Sequence, residues 1–149
     1  MMSPRLTMKW ADRFVSATFK AFLIISGVAT CLPILLAYNI ELANGRLFSG
    51  LLEYGPSSVP ALRHWGLMVF ALGALMIVSA LRPWLRFETM VFGAVEKTFM
   101  VYLFLASRGQ PWAQDYLVGA IIDSTFVLYS VVYFASRYGR SHEWTSRDD

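Results

Sequence analysis

Glu96, Lys97 and Asp123 are the residues whose type and setting point to chemistry. Glu96 and Lys97 lie inside an apolar run from Thr89 to Ser107, and Asp123 lies inside another from Tyr116 to Ser136. A charged side chain at the centre of a membrane helix costs roughly 2.5–3.5 kcal/mol on insertion. An apolar residue there returns only about 0.3–0.6 kcal/mol. Such groups are retained because they pair, bind or titrate. A carboxyl group in low dielectric can trade a proton for a ligand, and carboxyl and ammonium groups together can act as acid and base. A purely structural role has equal weight for two of them: Lys97 and Asp123 differ in depth by roughly 6 Å at 1.5 Å per residue, so an ion pair is within reach of a lysine stem. Gly93 and Gly119 each lie four residues before a charged group and would let the backbones approach. Neighbouring residues on a helix point ~100° apart. Glu96 and Lys97 are therefore not expected to share a face, which leaves Glu96 for function or for an oligomer contact.

Little else in the chain offers reactivity. Cys31 is the only cysteine, and His64 and His142 are the only histidines. A disulfide within the chain, a CxxC pair and a multi-haem b-type centre are excluded. No HExxH, P-loop or GxSxG pattern is present. No catalytic residue and no metal set is assigned. His64, beside Arg63, reads as a polar anchor, and Cys31 as a small core residue.

The elements that position the charged groups follow from composition. Of 149 residues, 56% are hydrophobic and 15% charged, against about 25% charged in a typical soluble domain. Mean hydropathy is +0.49. The net charge of +3 is spread over the flanks of apolar blocks, not gathered into a nucleic-acid-binding patch. Four uncharged or nearly uncharged runs occur at about 21–39, 64–81, 89–107 and 116–136. Each is long enough to cross ~30 Å of hydrocarbon as a helix. An open sheet could not satisfy its edges in lipid, and the runs lack the two-residue alternation of barrel strands. The expected fold is all-α, a four-helix transmembrane bundle in one domain. Pro33 is expected to kink the first span. Gly66, Gly73 and Ala80, spaced by seven, mark a packing face on the second. Ser26 and Thr30 on the first span, Gly93 on the third and Gly119 on the fourth mark others.

Orientation follows from basic residues. Arg5, Lys9, Arg13, Lys20, Arg82, Arg86, Arg137, Arg140 and Arg147 fall on one side; Arg46, Arg63 and Arg108 fall on the other. Both termini are thus expected in the cytoplasm. Trp10, Trp65, Trp84, Trp112 and Trp144 sit near span ends, as interface anchors do. In the long first loop, Leu47, Phe48, Leu51 and Leu52 recur with helical spacing, so a helix flat on the membrane is expected over about 46–54.

The stretch from Leu62 to Phe134 resembles the DoxX-like family of small four-helix bacterial membrane proteins. The resemblance is carried by Arg63-x-x-Gly66, the Gly73 stripe, Arg82-Pro83, Lys97 in the third helix and Asp123 in the fourth. It implies a bacterial inner-membrane protein. Some relatives are small subunits of quinone-linked redox enzymes, which implies a membrane-protein partner; a homo-oligomer is the other arrangement expected. Three functions are open at this point. The first is a non-enzymatic subunit or scaffold. The second is a proton-coupled carrier of a small lipophilic molecule, with Glu96 or Asp123 titrating. The third is a lipid- or quinone-modifying enzyme using Glu96, Lys97 and Asp123. No cofactor is expected, and a quinone or a lipid is the candidate ligand.

Overall fold

The structure, a computed structural model, describes residues 4–50 and 52–145, with side chains described for 10–50, 52–110, 113, 114 and 116–137. It is all-α. The first span is α1 (Pro4–Cys31) followed by the short α2 (Ile34–Tyr38). Then come α3 (Ile40–Leu47), α4 (Val59–Leu81), α5 (Arg86–Ser107) and α6 (Leu117–Thr145). Four stretches are long and apolar enough to cross a bilayer: Trp10–Tyr38, Val59–Leu81, Pro83–Ser107 and Leu117–Arg137. Their outward faces carry Ile25, Val28, Val95, Phe99, Leu128 and Val131, all more than half exposed. A water-soluble monomer does not show so much contiguous apolar surface, whereas a bilayer covers it. The chain is a multi-pass membrane protein.

Helix ends have identifiable causes. Pro33 offers no N–H and clashes with the turn before it, so α1 stops at Cys31. Three-residue turns carry the chain across, with Leu32 N donating to Ala29 O and Leu35 N to Leu32 O, both at 3.2 Å. Asn39 then leaves helical geometry at φ −148°, and its side-chain oxygen accepts from Leu42 N, capping α3. Glu41 in the first turn and Arg46 in the last complement the dipole of α3. At the far end of α4, Arg86 reaches back and donates to the carbonyls of Ser79 and Ala80 at 3.3 and 3.1 Å. Those carbonyls lie in the last turn of α4, where in-helix donors run out. The same guanidinium lies 5.3 Å from the Phe19 ring centroid.

The helix of the first loop differs from expectation. It is Ile40–Leu47, not 46–54. It ends because Ser49 and Gly50 take φ of 54° and 79°, left-handed values that terminate helices. Apolar spacing alone cannot see that stop. Asn44 then clamps the loop: its amide donates to Leu52 O at 3.1 Å and accepts from Leu52 N at 2.9 Å. Leu51 lies outside the described residues, as do the side chains of Trp112 and Trp144.

The four spans form a ring in the order α1, α4, α5, α6, with antiparallel neighbours. In the half nearest the start of α1 and the end of α6, the core is filled. Phe19 stacks on Tyr133 at 4.9 Å, Phe22 stacks on Tyr129 at 3.7 Å, and Phe22 meets Phe126 at 5.4 Å. Thr18 and Tyr129 hydroxyls are hydrogen-bonded at 2.9 Å. Leu23, Met76 and Met90 complete this core, and the buried Ser79 and Thr89 hydroxyls join α4 to α5. In the other half, Leu36, Ile40, Ala43 and Phe48 form a second, smaller cluster beneath α3.

Gly66 and Gly73 serve as expected. A Cβ on Gly73 would lie 2.6 Å from Gly27 O and 2.7 Å from Cys31 Sγ, and one on Gly66 would lie 2.5 Å from Pro33 O. These are backbone-to-backbone approaches that only glycine permits. Gly27, the reciprocal partner of Gly73, is a packing residue that the heptad spacing in α4 does not reveal. At Gly93 a Cβ would meet the Phe126 ring at 2.8 Å. Gly119 departs from its expected role: a Cβ there would meet nothing within 4 Å, so it is not a packing glycine.

Candidate functional site

Lys97 organises the site. It projects from the middle of α5 into the bundle and is only 5% exposed. Its ammonium nitrogen lies 3.1 Å from Asp123 Oδ1 on α6 and 3.2 Å from Glu96 Oε2 on its own helix. The expected Lys97–Asp123 pair is therefore formed. The expected separation of Glu96 from Lys97 is corrected. Their Cβ atoms do diverge around the helix, but a four-carbon stem lets the ammonium swing into the space between both carboxylates.

The two carboxylates differ. Asp123 is 8% exposed and is held across the helix interface. The Glu96 side chain keeps about a quarter of its surface, and its Oε2 is buried without a hydrogen bond despite facing the ammonium. Asp123 is thus the more buried partner of Lys97, and Glu96, at nearly the same distance, is the more exposed one at the rim.

Beside this cluster lies a cavity of about 520 Å³. It occupies the half of the bundle that the aromatic ladder leaves unfilled. Thr30 and Pro33 at the end of the α1 segment line it, with Trp65 of α4, Phe104 of α5 and Ala120 of α6. Arg46, Leu47 and Phe48 line it from α3 and its end. Glu96, Lys97 and Asp123 lie together at the opposite limit, toward the packed core. Leu32, Leu103, Val118 and Ile122 line the cavity and are also between 41 and 69% exposed, so it is open to the side as well. A volume in the range of roughly 300–1,000 Å³, mostly apolar walls and a few convergent polar groups characterise small-molecule sites.

Several residues singled out by type and spacing take different positions in the fold. Gly119 lines the cavity instead of a helix seam. Trp65 is half-buried against the α3 cluster and lines the cavity, so it is more than an interface anchor. Phe104, Tyr116 and Ala120 carry no distinguishing signal in the sequence, because apolar residues in a span look alike whether they face lipid or a cavity. His64 is exposed and outside the site. Cys31 packs against Gly73 and its thiol faces the Phe70 carbonyl at 3.7 Å. Among the described residues, no group of three His, Cys, Asp or Glu side chains is placed to hold a metal ion. No known family model, curated protein or solved structure matches the chain, so the site stands on its own geometry.

Proposed function

We propose that this protein is a proton-coupled carrier of a small lipophilic molecule, bound in the half of the bundle beneath α3. One observation carries the reading: an apolar cavity of about 520 Å³ has an intramembrane Glu–Lys–Asp cluster as its polar end. Stability alone does not require such a cluster. Buried ion pairs replaced by apolar residues of similar volume commonly leave a protein as stable or more so. A cluster kept at the edge of a cavity, with two carboxylates to one ammonium and one of them partly exposed, has the form of a group that changes its protonation when something binds. The lateral opening past Leu103 and Ile122 offers a route for a molecule dissolved in the bilayer.

The resemblance to DoxX-like proteins and the distribution of basic residues extend this reading to a bacterial inner membrane, with α1 starting and α6 ending in the cytoplasm. In that setting α3 and the cavity belong to the outer leaflet. The alternative role, a subunit beside a quinone-linked redox enzyme, would use the same cavity to hold a quinone or a lipid for its partner.

Filling the cavity tests the proposal. Ala120 is buried and lines it. Ala120→Phe should therefore occupy part of the ligand's space. Native mass spectrometry of the wild-type protein released from nanodiscs should show a stoichiometric small molecule, and the variant should lose it while keeping its helical circular dichroism. Equal occupancy in a folded variant would place the ligand elsewhere and overturn the reading.

A further inference from the structure

We infer that the cavity selects a hydrophobic monocation, and that Glu96 is the carboxylate that exchanges its proton for that ligand. The inference rests on the reading of the cavity as a binding site and specifies what binds. Charge balance is the first ground. The cluster holds two carboxylates and one ammonium, so one negative charge is in excess when all three are ionised. Among the described side chains, the other charged residue lining the cavity is Arg46, at the far end and exposed to solvent. Along α5 the cavity runs from Lys97 to Ser107, ten residues or about 15 Å, so Arg46 lies well away from the cluster. Neither α1, α2 nor α4 brings a charged side chain to the cavity; Thr30 and Tyr116 are uncharged polar neighbours.

Geometry then identifies the surplus carboxylate. Asp123 and Lys97 are buried together across the α5–α6 interface. Glu96 shares the same ammonium at 3.2 Å but is the more exposed of the two carboxylates, on the rim of the cluster. One ammonium cannot neutralise two carboxylates, and an excess negative charge in low dielectric is neutralised by a proton or by a cation. The two therefore compete for Glu96. When the cation enters, the Glu96 O–H bond breaks, the proton leaves to water, and the carboxylate becomes the counter-ion of the ligand. No electron moves and no bond to the ligand forms. The walls suit the same ligand, since Phe48, Trp65, Phe104 and Tyr116 bring aromatic rings to the cavity from four parts of the chain, and aromatic faces attract desolvated cations. A neutral ligand would leave the surplus charge to the proton, and an anion would add to it.

The test uses the protein in zwitterionic nanodiscs with two probes matched in size and opposite in charge, tetraphenylphosphonium and tetraphenylborate, each corrected for binding to empty nanodiscs. Saturable binding of the cation alone is expected, tightening as pH rises and releasing one proton per cation in weak buffer. Glu96→Gln should weaken it at least about tenfold and remove its pH dependence. The proton release is read on the wild type and does not depend on how the variant folds. Equal binding of both ions, preference for the borate, or cation binding without proton release would overturn this inference and leave the cavity as a site for another ligand. Saturable binding of neither ion, with stoichiometric small-molecule occupancy still seen in native mass spectra, would also overturn it; absence of both would remove the binding reading itself.

Discussion

Lys97→Met should destabilise the bundle by about 3–5 kcal/mol, the usual loss when one partner of a buried ion pair is removed. The substitution keeps the length and apolar bulk of the stem, so little packing is lost. What it removes is the single ammonium between Glu96 Oε2 and Asp123 Oδ1, leaving two carboxyl groups facing each other in the membrane interior. The triple variant Glu96→Gln, Lys97→Met, Asp123→Leu should recover most of that loss, because no charge is then left to desolvate. Denaturation in mixed micelles measures all three proteins. Recovery would show that stability does not require the cluster. A triple variant less stable than Lys97→Met would mean that the ion cluster itself holds α5 to α6, and the functional reading of Glu96 would lose its basis.

The second large effect is expected at the α1–α4 crossing. Gly73→Leu should cost at least about 1–3 kcal/mol, the range for overpacking a tight interior. Even the first carbon of the new side chain would lie 2.6 Å from the Gly27 carbonyl and 2.7 Å from Cys31 Sγ. Neither backbone can yield without moving the whole crossing. Gly119→Ala makes the control. A Cβ there meets nothing within 4 Å, and alanine is the better helix former, so this variant should melt no lower than wild type. Comparable melting temperatures for Gly73→Leu and wild type would contradict the close approach of α1 and α4.

What the sequence makes legible divides along physical lines. Span number, the break at Pro33, the Gly66–Gly73 face and the Lys97–Asp123 pair all follow from periodicities and costs that local sequence carries. The loop helix lies earlier than its apolar spacing predicts, because its boundaries depend on capping by Asn39 and on left-handed geometry at Ser49 and Gly50. Hydrophobic spacing encodes neither. Cβ directions separate Glu96 from Lys97, and the length of a lysine stem outweighs them. Gly119 shares its spacing with true packing glycines, and only the space around it distinguishes the two cases. The cavity is invisible in sequence because it is a property of where four helices fail to touch.

Locating a bound hydrophobic cation directly is the sharpest check that the Glu96–Lys97–Asp123 cluster is the polar end of a ligand cavity. Tetraphenylarsonium carries an arsenic atom whose anomalous scattering marks its position in a crystal of the protein. The arsenic should lie inside the bundle, between Glu96 and the rings of Phe104 and Tyr116. An arsenic site only against the outward face of α5 at Phe92 and Phe99, with the cavity empty, would show that the cluster does not face a binding cavity.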